Sequence, residues 1–332
     1  MNPVAQYEAA ARRGGAWLAG RLDHNGLLPR TLGLHACHKG VWALAASGQI
    51  AAAHRLLQGI REHLMCQPGE FYPRGEGHDD GWRSYYAAIV LVGAARLGRF
   101  DVASPAAADR LCAYQHPSGG FFGLIDEANS LIDLCVTAQC GWACLALGRY
   151  ESARRAADFI AQALKLQPDR DHRLYFKVDA RTGQLATEVP PNQQIQYLLD
   201  TTRAKQHFFY AGISGGFLAD LGMLTGCSRY VEAARGYLDF DLRTNPDGFR
   251  WPSKCKVGWG AGLLYRATGE DKYRTLAQRV ADITWCEAQQ SDGSWQGLQF
   301  PIADDLSGVE VSPEEITAEF TYELMEVVGA LD

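Results

Sequence analysis

A single unit recurs along the chain and limits the folds that the chain can adopt. Each copy contains an apolar helix that ends at a glycine, a polar turn, a second helix, and a loop in which a glycine or charged residue lies beside an aromatic residue. The glycines that end the first helices are Gly48, Gly98, Gly148, Gly226 and Gly269, with a looser sixth copy, MEVVG, ending at Gly329. Glycine suits such an end because it adopts positive φ without steric cost.

The two helices of a unit differ in their patterns. The helices before the glycines are apolar on nearly every side, whereas partners such as ESARRAADFIAQAL have a polar face, so two concentric layers are expected. Six such units predict one all-α domain over residues 1–332, a closed (α/α)6 toroid or six-hairpin barrel, with short β-hairpin loops at one mouth. The widest interval between glycines contains residues 167–205, which we interpret as a long loop insertion and a candidate cover for the site.

Two segments carry a resemblance to known toroids. CAYQHPSGGFFG (residues 112–123) and CEAQQSDGSWQG (residues 286–297) resemble the Gln-to-Trp/Phe repeat of the terpenoid cyclase and prenyltransferase α/α toroids. The number of hairpins also resembles that of the six-hairpin glycosidases and epimerases. The resemblance implies the fold and leaves the reaction open, because the motif is architectural. The DxDD motif of squalene-type cyclases is absent from the sequence, where HDDGW is the nearest approach, and the zinc-ligand set of protein prenyltransferases cannot be mapped.

Composition excludes several classes of function. A net charge of −6, with lysine and arginine scattered along the chain, gives no surface for nucleic acid or an anionic membrane. We expect no signal peptide, and no apolar run comes near the roughly 20 residues that a bilayer crossing needs. The nine cysteines are odd in number and form no CxxC motif, so we expect free thiols and a cytoplasmic protein. Whether the rings form an oligomer is left open.

Cofactor and metal motifs are also missing from the sequence. HExxH, Walker, GxGxxG and GxSxG patterns do not occur, and we expect a small-molecule site without a cofactor or a metal. His35, Cys37, His38 and Asp80 are residue types that bind zinc, but their spacing matches no zinc motif.

Aligning the first helices on their glycines predicts which residues share a level of the ring. One level contains His35, Tyr85, Cys135, Ile213, Lys256 and Ile316, and the next contains His38, Ala88, Ala138, Gly216, Trp259 and Glu319. We therefore expect a polar rim over an apolar floor. The converging helix N-termini favour an electron-rich or anionic ligand at this rim.

Two segments supply the predicted catalytic residues. In LHACHKGVW, we predict that His35 and His38 transfer protons and that Lys39 binds substrate. The structural alternative is a pair of core histidines with a surface lysine.

In HDDGWRSYY, Asp80 and Tyr85 are predicted to be catalytic, and Asp79 and Trp82 to bind substrate. One of the two aspartates is expected only to cap the helix. At most one of Tyr85 and Tyr86 is expected to face inward, and Tyr85 matches the level.

Further predicted substrate-binding residues are distributed over three later helices: Asp133, Cys135, His207, Phe209, Tyr210, Lys254, Lys256 and Trp259. An alternative interpretation of Cys135 is a small apolar residue that packs in the core. The lysines oppose the dipole at a helix N-terminus, which suggests an anionic ligand. Glu314 and Glu315 are interpreted as structural acids in the first turn of the last helix.

These residues support two enzyme hypotheses and one alternative. The first is a cofactor-independent acid/base enzyme, a lyase, isomerase or cyclase, acting on a small, partly apolar and anionic metabolite. The second is a carbohydrate-active hydrolase or epimerase of the six-hairpin type, for which Asp80 and Asp133 are the available carboxylate pair. The third is a non-catalytic binding scaffold, which the polar residues at one level disfavour.

Overall fold

Two layers of helices make up the protein. The computed structural model describes residues 3–29, 34–71, 80–124 and 130–332, apart from the side chains of Asp80 and Val309. The inner helices are α2 (Leu34–Cys37) with α3 (Gly40–Ala46), α5 (Arg83–Arg96), α7 (Leu134–Ala146), α9 (Phe209–Thr225), α11 (Cys255–Thr268) and α13 (Pro313–Leu331). The outer helices are α1 (Pro3–Arg21), α4 (Ile50–His63), α6 (Pro105–Cys112), α8 (Tyr150–Lys165), α10 (Ser228–Leu242) and α12 (Asp271–Val280), the last extended by a π-helical turn over Ala281–Cys286.

The inner helices form a closed ring. Each contacts the next in the order α3, α5, α7, α9, α11 and α13, and α13 contacts α3 again. Each inner helix packs against the outer helix that follows it, except that the partner of α13 is α1. Gly14 of α1 lies against Thr321 of α13, and Arg21 forms an ion pair with Glu314 at 2.9 Å. The prediction of an (α/α)6 toroid is therefore confirmed, and its sixth hairpin joins the first and last helices.

The two Gln-containing loops show the same circular order. Gln115 donates to the carbonyl of Ser152 on α8, and Gln289 donates to the carbonyl of Ala10 on α1, at 2.8 and 2.9 Å. Both glutamines also bind a loop glycine carbonyl. Thus α1 follows α12 in the ring as α8 follows α6.

The glycines end the inner helices as the repeat predicts. Gly48, Gly98, Gly148, Gly226 and Gly269 all have φ between 68° and 84°. The prediction fails at Gly329, which lies inside α13, because this helix continues to Leu331 and packs against α1 as its outer partner. No helix among the described residues is long and apolar enough to cross a bilayer.

Short antiparallel strands lie in the loops. They are β1 (Met65–Gln67), β2 (Glu70–Phe71), β3 (Leu131–Asp133), β4 (Arg173–Tyr175), β5 (Lys177–Asp179), β6 (Leu198–Asp200), β7 (Gln299–Pro301) and β8 (Gly308–Glu310). The pairs are β1 with β2, β3 with β5, β4 with β6, and β7 with β8. Only the first and last of these pairs join consecutive strands.

The stretch 167–205 lies against the N-terminal ends of two inner helices. Its strand β5 pairs with β3, Ile132 opposite Val178, directly before α7. The ring of Phe176 stacks on Tyr210 at the start of α9, with centroids 3.4 Å apart. The stretch is also tied to the β7–β8 hairpin by Asp304, which accepts hydrogen bonds from the backbone amides of residues 194 and 195 and from Arg203.

Candidate functional site

Five charged side chains connect across the ring between α3, α11 and α13. The Lys39 ammonium group lies 3.0 Å from Glu315 and 2.9 Å from Glu319. Lys256 in turn donates to Glu319 and to Glu323, the latter at 2.9 Å. We call this set, Glu315, Lys39, Glu319, Lys256 and Glu323, the ion ladder. Its glutamates lie four residues apart on one face of α13, so one face of a single helix supplies every carboxylate in the set.

Burial increases along the ion ladder. The side chain of Glu315 is 17% exposed, and that of His35 beside it is 27% exposed. At the other end of the ladder, Lys256 is 2% exposed and Glu323 is fully buried. The ladder therefore begins at the mouth formed by the inner-helix N-termini and continues into the ring. Buried charges are costly unless they are paired, and here each ammonium group has two carboxylate partners.

His35 lies at the mouth between a carboxylate and a phenol. Its Nδ1 is 3.6 Å from Glu315, and its Nε2 is 2.7 Å from the Tyr86 hydroxyl. With the Nδ1 proton facing Glu315, Nε2 accepts the hydrogen bond from Tyr86. Tyr86, His35 and Glu315 are thus aligned for proton transfer, and Glu315 connects them to Lys39.

His38 is buried beneath His35. Its Nδ1 lies 2.9 Å from the backbone carbonyl of His35, and its ring contacts those of Tyr85 and Tyr86. Burial, followed by the charge of Lys39, lowers the pKa of His38 to about 3, so the imidazole is neutral. This position supports His35 and Tyr86 and lies away from the mouth, which does not fit the predicted direct catalytic role of His38.

Tyr85 and Tyr86 both lie at the site, so the expectation that only one faces inward is wrong. Tyr86 reaches His35, whereas Tyr85 lies edge-on to Trp82, with ring centroids 5.2 Å apart. Burial raises the pKa of Tyr85, and the charge of Lys256 acts in the opposite direction. Consecutive positions of a helix differ in direction by about 100°. The direction of the ring axis can therefore lie between the two side chains, so that both lie inside the ring.

The wall opposite α13 is formed by α7 and α9. Asp133 caps α7 by accepting hydrogen bonds from two backbone amides, and it accepts the Tyr210 hydroxyl at 2.7 Å. Burial raises the pKa of Asp133 and raises that of Cys135 well above the usual thiol value. Asp133 therefore faces a tyrosine, and Cys135 is a protonated thiol.

Aromatic side chains form the floor of the site. Trp142 stacks on Trp259 with centroids 4.3 Å apart, and Trp42 stacks on Tyr322 at 4.5 Å. The indole nitrogens of Trp42 and Trp142 donate to Glu326 and Asp220, respectively. Trp259, which is predicted to bind substrate, packs among these aromatic rings of the floor and is buried.

Lys254 is not a site residue. Its ammonium group is fully buried against Asp241 of α10 at 2.9 Å and lies 3.8 Å from the centroid of the Phe208 ring. The side chains of residues 254 and 256 point in different directions because two helical positions differ by about 200°. Lys256 faces the ring axis and Lys254 faces the outer layer, which contradicts the predicted role of Lys254 in substrate binding.

The other predicted residues have mixed outcomes. Asp79 and the side chain of Asp80 lie outside the described part of the protein. His207 lies 2.7 Å from the carbonyl of Pro301 and stacks on Phe209, so it fixes the β7–β8 hairpin to the start of α9. Burial lowers the pKa of His207 to about 4. Phe209 and Trp82 are partly exposed near the mouth.

One group of side chains resembles a metal-ligand set. Donor atoms of Cys255, Glu319 and Glu323 lie within 4.8 Å of one another, and all three residues are buried. Both carboxylates, however, accept hydrogen bonds from Lys256. An ammonium ion thus already compensates these two carboxylates, and the set does not suit an additional metal cation.

The sequence interpretation missed the carboxylates of α13. The sequence pattern predicts a structural role for Glu315 and no role for Glu319 or Glu323, whereas all three pair with the lysines of the site. The available signal was their spacing, because three glutamates at intervals of four residues share one face of the last helix. Lys39 and Lys256 are predicted to bind an anionic group of the substrate. In the structure, both ammonium groups instead form ion pairs with these glutamates.

Comparisons with known proteins give the fold. No family model matches the chain, and no curated protein matches its sequence significantly. Among solved structures, D-mannose isomerase has a TM-score of 0.70 at 15% identity, covering 97% of each chain. An alpha-1,6-mannanase from Salegentibacter sp. has a TM-score of 0.63 at 12% identity, covering 98% of this chain and all of the other. The type II terpene cyclase MstE from Scytonema has a TM-score of 0.60 at 17% identity, covering 99% of each chain. These similar proteins are enzymes of three different classes, and the likeness establishes the α/α toroid alone.

Proposed function

We propose that this protein is a cofactor-independent enzyme that moves protons on a small molecule bound at the mouth of the ring, as a lyase, isomerase or cyclase does. The observation that carries the proposal is the alignment of Tyr86, His35 and Glu315 at the partly exposed end of the ion ladder. Acid/base chemistry requires a proton donor or acceptor within reach of a polarising partner, and a histidine beside a carboxylate meets that requirement.

In the proposed mechanism, Tyr86 and His35 act as one relay. The Tyr86 oxygen accepts a proton from the substrate while its own proton passes to His35 Nε2, 2.7 Å away. Glu315 stabilises the imidazolium that forms, and Lys39 holds Glu315 in place at 3.0 Å. Return of the proton to a different substrate atom completes an isomerisation, whereas loss of a leaving group completes an elimination.

The charges favour an uncharged substrate over the anionic one expected from sequence. Both ammonium groups of the site are paired with carboxylates, so binding an anion would require breaking buried ion pairs. The partly exposed aromatic side chains of Trp82 and Phe209 provide apolar contact at the mouth. Among the similar structures, D-mannose isomerase makes free sugars the first compounds to test.

A hydrolase of the six-hairpin type is the second candidate. Asp133 on α7 lies across the ring from the glutamates of α13, which is the arrangement of two carboxylates on opposite walls that glycoside hydrolysis uses. Asp133 is, however, committed to capping α7 and to Tyr210, so the first proposal is favoured.

Solvent deuterium exchange distinguishes these reactions. The protein is incubated in D₂O with D-mannose and other free sugars, short enoates, prenyl alcohols and mannose oligosaccharides, and the products are examined by NMR. Proton transfer incorporates deuterium at carbon, whereas hydrolysis releases reducing ends without it. We expect His35→Gln and Tyr86→Phe to lower exchange by about 10²–10⁴-fold. His172→Gln is the control, because this histidine is exposed and pairs with Asp169 at the surface. Full exchange activity in His35→Gln would refute the relay.

A further inference from the structure

The ion ladder contains three carboxyl groups and only two ammonium groups. Glu319 has two ammonium partners, Lys39 and Lys256, and Glu315 has Lys39 together with the neighbouring His35. Glu323 has one ammonium partner, Lys256, and shares it with Glu319. If all five groups were ionised, the buried set would carry one uncompensated negative charge, which is costly in a medium of low polarity.

Glu323 is the group at which this excess charge is least compensated. Its Oε1 accepts hydrogen bonds from Lys256 at 2.9 Å and from the Tyr322 hydroxyl at 3.3 Å, and the thiol of Cys255, a weak donor, is a further hydrogen-bond partner of the side chain. The side chain is fully buried. The titratable groups that face it are Lys256 and Cys255 from α11, and Glu319 and Tyr322 from α13.

We propose that Glu323 carries a proton while Glu315 and Glu319 are ionised, so that the ion ladder is neutral, and that this proton is needed for activity. Glu323 is a positioning residue in this account. As a neutral acid it leaves the Lys256 charge to Glu319, which keeps Lys39 and Glu315 in register with His35. When Glu323 loses its proton, it competes for Lys256 and adds negative charge to the buried set, so activity falls at alkaline pH. The activity part of this inference rests on the proposed function, whereas the protonation part does not.

The titration properties of the two glutamates agree with this assignment. Burial raises the pKa of Glu323 to about 7. Burial acts in the same direction on Glu319, but the charges of Lys256 and Lys39 hold its pKa down at about 2. Two carboxyl groups that share one lysine are therefore mostly in opposite states at pH 6.

Infrared spectroscopy tests the proton directly. In D₂O at pH 6, a protonated carboxyl group gives a C=O stretching band at higher frequency than the amide I band, and ordinary glutamates are ionised at this pH. We expect this band in the wild-type protein and its loss in Glu323→Gln. The band should also be lost in Glu319→Gln, because two carboxylates then balance two ammonium groups and Glu323 ionises. Labelling the wild-type protein with ¹³C-glutamate shifts this band away from those of aspartic acids, so the test does not depend on either variant folding. Absence of a protonated glutamic acid band at pH 6 would overturn the inference.

The pH dependence of activity supplies the second readout. Wild-type turnover should decline above neutral pH, and Glu323→Gln should retain its turnover there because its amide cannot ionise. Glu319→Gln, which removes the shared negative charge, should lose turnover at every pH. An unchanged alkaline decline in Glu323→Gln would show that the proton is not coupled to activity. If no substrate is turned over at all, the infrared result still decides the protonation state, so the two proposals fail separately.

Discussion

Replacing Lys254 with methionine tests whether this residue is structural. Lys254 and Asp241 form a fully buried ion pair at 2.9 Å, and Lys254 also donates to Thr244 at 2.7 Å. Removing one partner of a buried pair costs about 3–5 kcal/mol, because the remaining charge has no compensation. Loss of the contact with the Phe208 ring adds to this cost. We expect Lys254→Met to lower the free energy of unfolding at pH 7 by about 3–5 kcal/mol.

Urea unfolding monitored by far-UV circular dichroism measures this loss. The double variant Lys254→Met with Asp241→Leu removes both charges together, and an apolar pair of similar size should recover most of the stability. The folded Lys254→Met protein should keep its activity per molecule, whereas Lys256→Met should not. A Lys254→Met protein within about 1 kcal/mol of wild type, or a double variant as unstable as the single one, would refute the reasoning.

Three further predictions concern packing, pH and the loops. Gly212→Ala should strongly lower stability in thermal unfolding, because the added methyl group would overlap the backbone of Lys256. Gly226→Ala is the matched control: its methyl group has open space, but the alanine must adopt φ 68°, so the variant should lose only about 1 kcal/mol of unfolding free energy. The raised pKa of Glu323 means that the folded state binds this proton more tightly than the unfolded state does. The protonated Glu323 therefore stabilises the fold below about pH 4.5, and up to about 3 kcal/mol of this stability is lost as the pH rises towards 7. Urea titrations at several pH values should therefore show this slope in wild type and not in Glu323→Gln. Asp304→Asn should speed amide hydrogen exchange at residues 194 and 195 several-fold, and unchanged exchange would show that Asp304 does not fasten these loops.

The sequence predicted the ring because the evidence for the ring is local. A glycine with positive φ at the end of an apolar helix is recognisable from a few residues, and its recurrence marks five of the six inner helices. The spacing of Cys112 and Cys286 from their glutamines likewise marks equivalent loops, and these glutamines make equivalent hydrogen bonds.

The side-chain partners could not be predicted in the same way. Lys39 and Glu319 pair across 280 positions of the chain, and nothing near either residue specifies the other. The direction of Lys254 depends on how α11 is rotated against α10, which is a property of tertiary packing. The regular spacing of Glu315, Glu319 and Glu323 was visible, but an acidic stripe on a helix is more often solvated than buried.

The pairing of α1 with α13 couples completion of the fold to assembly of the site. The face of α13 that supplies the carboxylates looks inward, while other residues of the same helix, including Thr321, rest against α1. A partly folded chain in which α1 has not docked lacks support for all three glutamates at once, and the lysines would then have no counter-ions. Folding intermediates in which α1 is undocked should therefore be inactive. Substrate bound at the mouth should in turn slow the detachment of α1, which packs on the outer side of α13.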